Sequence, residues 1–176
     1  EEVGLIKEIL PRRNYVVRQW RLGNHDLHLL ASNIDQAILI MTIVQPNLKQ
    51  GFIDRFLLMT ETYNIPAAIV FNKADLYGEE ELNMYEYLQT VYESINYQVL
   101  LVSAVDGTGL DDFRAVLKDK TTLLAGQSGV GKSTLLNSIQ PQLELRTGEL
   151  SDYSGKGQHT TTFAEMHGLD FGGRII

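Results

Sequence analysis

The nine residues Gly126-Gln127-Ser128-Gly129-Val130-Gly131-Lys132-Ser133-Thr134 set three glycines, a lysine and three hydroxyls at the spacing Gly-x4-Gly-Lys-Ser. That is the pattern of a phosphate-cradling loop. Its glycines let backbone N–H groups turn inward around an anion, and a helix opening behind it adds partial positive charge. Lys132 is expected to place an ammonium on the β- and γ-phosphates, and Ser133 to offer its hydroxyl to Mg2+. Such a loop takes ATP or GTP alike. Asn72-Lys73-Ala74-Asp75 separates them. A carboxylate at Asp75 accepts from guanine N1–H and the exocyclic N2 amine. Adenine has no such donor pair, so it would leave a buried acceptor unpaired, at about 1–3 kcal/mol. The stem of Lys73 suits the face of the base, and Asn72 suits bracing the loop. Further on, Ser103-Ala104 offers a backbone N–H at Ala104 for guanine O6.

His159-Thr160-Thr161-Thr162 lies in a polar stretch after the phosphate loop. A threonine hydroxyl reaching Mg2+ would make this stretch a first switch, and spacing does not separate the three threonines. His159, near its charge transition at neutral pH, suits orienting water or a phosphate. His25 and His28 have no cysteine or acidic cluster beside them and read as surface residues.

Four apolar runs are expected to supply the strands behind these loops: Ala37–Val44, Ile65–Phe71, Val99–Val102 and Thr121–Ala125. They are short, rich in Ile, Val and Leu, and do not alternate, as strands covered on both faces do not. Between them, Phe52, Ile53, Phe56, Leu57 and Met59 recur at helical spacing. So do Leu82, Tyr85, Leu88, Val91, Tyr92 and Ile95, and then Leu110, Phe113, Val116 and Leu117. Strands alternating with helices predict an α/β domain with a mostly parallel sheet. Residues 3–20 read as two short strands around the turn Pro11–Asn14, the end of a β-domain. Residues 22–36 read as linker and residues 37–176 as the nucleotide domain. Phe163–His167 and Arg174–Ile176 are expected to pair as a hairpin, and the polar residues 146–160 to form a mobile loop.

The chain has 176 residues, no cysteine and a net charge of −7. Disulfides and cysteine-ligated zinc are thereby excluded within it, and a cytoplasmic protein with no membrane segment is expected. Residues 1–21 carry five basic against three acidic residues, and the remainder ten against nineteen. The body should therefore repel nucleic acid, and any backbone contact would be local, for which Arg12 and Arg13 are the candidates.

The order of the loops is reversed: the base loop NKAD precedes the phosphate loop. In that order NKAD, Ser103-Ala104, GQSGVGKST and GQHTTT, with "EILPRRNYVVRQ" and "ASNIDQAILI" before them, resemble the circularly permuted GTPases that act on the bacterial small ribosomal subunit, the RsgA/YjeQ family. The resemblance implies a permuted P-loop GTPase domain preceded by the end of an OB-like domain. It implies hydrolysis of GTP to GDP with Mg2+, late in maturation of the small (30S) subunit. It implies contact with that subunit and its rRNA through domains mostly outside this sequence, by a protein expected to be a monomer. Within the threonine run it points to Thr161 as the Mg2+ ligand. Catalytic roles fall on Lys132 and His159, and nucleotide contacts on Asn72, Lys73, Asp75, Ser103, Ala104 and residues 126–134. The family also carries a zinc domain and an Asp-x-Pro-Gly motif beyond the equivalent of Ile176, so the sequence is expected to be a fragment. Two other functions fit the same loops: a guanine-nucleotide sensor with negligible turnover, and a permuted GTPase of large-subunit assembly.

Overall fold

The structure, a computed structural model, describes residues 5–19, 27–146 and 165–176. Its centre is a six-stranded sheet, in which β3 (Gln36–Met41), β4 (Ala67–Phe71), β5 (Gln98–Leu101) and β6 (Thr121–Ala125) run parallel. With the short strands β7 (His167–Gly168) and β8 (Arg174–Ile175), the order is β5-β4-β3-β6-β8-β7. β8 is parallel to β6, and β7 closes on β8 antiparallel; the expected C-terminal hairpin is present in shorter form, with Gly168 in the strand rather than the turn and residues 163–164 outside those described.

The non-alternating runs have a simple cause. Ala37, Leu39 and Met41 of β3 enter one buried cluster, with Ile53, Phe56 and Leu57 of helix α1 (Gln50–Thr62) and Tyr85, Leu88 and Tyr92 of helix α2 (Glu79–Glu93). Ile38 and Ile40 enter a second, with Phe113, Val116 and Leu117 of helix α3 (Leu110–Leu117) and Leu135, Leu136 and Ile139 of helix α4 (Lys132–Ile139). Each face of the pleat meets its own helix pair, so both parities must be apolar. At α2, Glu81 Oε2 accepts the Gly78 N–H at 2.9 Å, and Glu79, Glu80 and Glu81 all lie in the positive first turn.

The N-terminal expectation holds for its second strand, after Asn14, and is corrected for its first. No strand forms over residues 5–14; instead β1 (Tyr15–Gln19) pairs antiparallel with β2 (Leu27–Ser32), inside the stretch read as linker. The boundary at 36/37 fails too, because Gln36 opens β3. The physical reason is burial. Val16, Ala31 and Ile34 belong to the same cluster as β3 and α1, so the hairpin completes the nucleotide domain's core. Asn14 fixes the join: its Nδ2 donates to Ile34 O at 2.8 Å and its Oδ1 accepts the Ile34 N–H at 3.0 Å. Arg13 is also spent on protein. Its Nη2 donates to Asp35 Oδ1 at 2.7 Å and to Ile34 O at 3.1 Å. Among the described residues no helix is long and apolar enough to cross a membrane.

Candidate functional site

Four loops leave the carboxyl ends of the parallel strands, where open α/β sheets bind ligands. They are the loop after β3 beginning at Thr42, the base loop after β4, Val102-Ser103-Ala104 after β5, and the phosphate loop after β6. Asn72 joins three of these elements. It is 1% exposed; its N–H donates to Met41 O at 2.8 Å, and its Nδ2 donates to Val130 O in the phosphate loop at 2.9 Å. Two motifs 58 residues apart in sequence are thus held edge to edge.

The glycines explain how closely these loops pass. A Cβ at Gly131 (φ 84°) would lie 2.7 Å from Asn72 Nδ2, and one at Gly126 would collide with Ile40 O. Only a bare backbone fits there. Val130 between them is buried, Ser133 and Gln127 are half-buried, and Ser128 and Thr134 are exposed.

Lys132, the first residue of α4, has its Nζ 2.8 Å from Gly126 O and 2.9 Å from Gln127 O. Burial lowers its pKa, and among the described residues no carboxylate pairs with it. A partly desolvated cation held only by carbonyls is what an incoming polyphosphate would neutralise. On the base side, Asp75 is exposed, and its Oδ1 accepts from Ser103 Oγ at 2.6 Å. The buried Ser103 Oγ in turn accepts the N–H groups of Val105 and Asp106 at 3.1 and 3.2 Å. That network orients the carboxylate without using both of its oxygens. Ala104 is half-buried, and among the described residues no acceptor takes its N–H.

Lys73 sits in the left-handed region at φ 67° and donates from Nζ to Gln45 O at 2.5 Å. Burial lowers its pKa, and the Asp75 charge opposes that shift. Among the described residues, Asn72 Oδ1 is buried without a partner. Turning the amide over would set an oxygen against Val130 O, so the orientation that keeps this bond leaves Oδ1 on the other side. The uncompensated Lys132 and this acceptor make the residues present a fit for a nucleotide. His159 and Thr161 lie outside the described residues, so the geometry brings together the base loop, the Ser103-Ala104 loop and the phosphate loop, and the switch stretch is not among them.

Sequence reasoning missed Tyr77 and Gln45. The Tyr77 hydroxyl donates to Asn72 O at 2.9 Å and accepts the Ile43 N–H at 3.0 Å. Nothing in the letters NKADLY signals that the last residue reaches back to the first.

Comparison with known proteins places this geometry. A family model described as RsgA GTPase matches residues 9–176. The chain is 44% identical over 173 residues to the small ribosomal subunit biogenesis GTPase RsgA of Flavobacterium psychrophilum, covering 98% of this chain and 53% of that protein. It is 46% identical over 176 residues to the RsgA of Phocaeicola vulgatus, covering 100% and 57%. The chain therefore spans about half the length of the curated relatives it matches. Among solved structures, YjeQ from Thermotoga maritima superposes with a TM-score of 0.76 at 34% identity, over 96% of this chain and 52% of that one. YloQ, described as a circularly permuted GTPase, gives 0.61 at 37%, over 77% and 44%. The reversed loop order is thus a shared circular permutation of an α/β GTPase domain. Because the match runs through every loop described above, the chain belongs to the RsgA GTPase family.

Proposed function

We propose that this chain is the nucleotide-binding core of a GTPase that hydrolyses GTP to GDP and phosphate during maturation of the bacterial small ribosomal subunit, in the cytoplasm. The observation that carries it is the Asn72–Val130 bond, which sets a guanine-type loop beside a half-buried lysine that no carboxylate pairs with among the described residues. In this reading Asp75 accepts from guanine N1–H and N2, and the Ala104 N–H meets O6. Lys132 and the N–H groups of residues 126–134 hold the phosphates. Ser133, with Thr161, holds Mg2+. Among the described residues no group of three or more His, Cys, Asp or Glu is placed to hold a metal, so the ion would arrive with the nucleotide. Its chemistry is to neutralise charge on the β- and γ-oxygens. Lys132 stabilises the same charge as it develops, and His159 orients the attacking water. The ribosome-facing contacts, rRNA included, belong to parts of the protein beyond these loops, and the acidic body of this chain agrees with that.

The test is titration of GDP, ADP and XDP against the parent and Asp75→Asn. The parent should prefer GDP strongly. The variant should bind GDP about 5–150-fold more weakly, the cost of about 1–3 kcal/mol for a mismatched pair, and move its preference toward XDP, whose oxygen at C2 accepts from the new amide. A parent that binds ADP as well as GDP would overturn the reading.

A further inference from the structure

Resting on the guanine-nucleotide reading above, we propose that Tyr77 is a positioning residue. Its hydroxyl bolts the loop after β3 to the base loop, and so governs how slowly guanine nucleotide leaves.

The base loop is short and carries a backbone cost. Lys73 is a non-glycine residue at φ 67°, a conformation that must be held from outside. The following 3-10 turn, Ala74–Leu76, is closed by the Tyr77 N–H donating to Ala74 O at 3.0 Å. Tyr77 therefore leaves the turn at a fixed angle, and its ring folds back under the loop. At its tip the hydroxyl makes both bonds that a phenol makes well. It donates to Asn72 O at 2.9 Å, and it accepts the Ile43 N–H at 3.0 Å. Burial pushes the phenol up to about 12, so the proton needed for the first bond is present throughout the neutral range.

The consequence is a closed circuit. Asn72 is gripped through its N–H by Met41 O, through its Nδ2 by Val130 O and through its C=O by Tyr77. The loop after β3 is gripped at Ile43 by Tyr77 and at Gln45 by Lys73. Lys73 cannot lie along a base and hold Gln45 O unless that loop stays in place, and a second side-chain tie from the base loop onto it comes from Tyr77. A phenylalanine at 77 would pack equally well. It would leave the Ile43 N–H and the Asn72 C=O without their partner, and both belong to half-buried bonds. The information is therefore in the hydroxyl.

The experiment uses the full-length protein and a fluorescent GDP, reading association and dissociation rates by stopped flow. Tyr77→Phe should raise the dissociation rate about tenfold, as expected for losing a bridge worth about 1–1.5 kcal/mol, and leave the association rate and the GDP-over-XDP preference unchanged. In a double-mutant cycle with Lys73→Met the two losses should be strongly non-additive, because both act through the same loop. An unchanged dissociation rate overturns the proposal, and so do additive losses. A lowered thermal midpoint with equal falls in both rates overturns it too, since that is a packing role. Should the variant fail to fold, amide exchange in the parent decides. The Ile43 N–H should be protected without nucleotide and more so with GDP; rapid exchange in both states overturns the inference. A parent that does not prefer guanine fails at the earlier step, which separates the two outcomes.

Discussion

The base loop and the phosphate loop face one another, but they are prepared in opposite ways. On the base side the recognising group is already aimed. Ser103 holds the Asp75 carboxylate, two backbone N–H groups hold Ser103, and Asn72 is gripped on three sides. On the phosphate side the charged group is turned inward onto its own loop, with Lys132 on Gly126 O and Gln127 O. The difference teaches where selectivity and affinity arise. On the function proposed above, guanine would meet a preorganised acceptor and be selected at little reorganisation cost, whereas phosphates would first have to draw Lys132 off two carbonyls.

That contrast is broken most sharply at Lys132. Lys132→Ala should weaken GDP binding by about 30–150-fold, the worth of charge-assisted bonds of about 2–3 kcal/mol. Its melting temperature without nucleotide should not fall, because a partly desolvated cation with no counter-ion among the described residues contributes little to the empty fold. Calorimetric titration beside thermal melts checks both halves. Tight GDP binding by the variant would make the loop merely structural. Asn72→Ala sharpens the comparison from the other side. It should cost about 1–3 kcal/mol of stability without nucleotide, by stranding Val130 O and opening a cavity, and should weaken GDP binding as well. Loss of affinity with an unshifted unfolding midpoint would mean that the base side is not prebuilt.

The smallest effect belongs to the far end of the sheet. The Thr121 N–H donating to Asp35, and then the Arg13 guanidinium, hold the Asp35 carboxyl below its usual range. A depressed carboxyl contributes stability above its unfolded value of 3.8 and loses it as pH falls through the folded value. Asp35→Asn should therefore flatten the acid limb of the stability curve below about pH 4, with well under 1 kcal/mol lost at neutral pH for so exposed a pair. Nucleotide affinity should not move. Denaturant midpoints from pH 2 to 7 measure it.

Much of this was legible in the letters because the determinants are local. The phosphate loop, NKAD and Ser103-Ala104 are contiguous, and each follows an apolar run that became β6, β4 or β5. What escaped was long-range. Leu27–Ser32 looked like linker because half of a hairpin is recognised by its partner, and β1 pairs with it across residues 20–26, outside those described. Val16 was read into a separate β-domain and Ala31 into the linker because what buries them lies in β3 and α1. Tyr77 was invisible for the same reason: its hydrogen-bond partner at Ile43 is 34 residues away. The switch residues His159 and Thr161, read from spacing and resemblance, fall outside the described part.

One feature of β3 reaches beyond its own packing. Its first residue lies beside the Arg13–Asp35 pair and the hairpin join, while Ile40 O walls Gly126 and Met41 O receives Asn72. Six residues, about 20 Å of extended chain, therefore act as a ruler between the N-terminal joint and the nucleotide loops. Because alternate residues serve two different cores, the ruler has no slack. Deleting or inserting one residue between 36 and 41 would exchange the two faces and shift both ends at once. Point substitutions that keep the residues apolar can be absorbed there, but changes of length cannot, and the reading frame of this strand fixes the spacing between whatever the hairpin holds and the site where nucleotide sits.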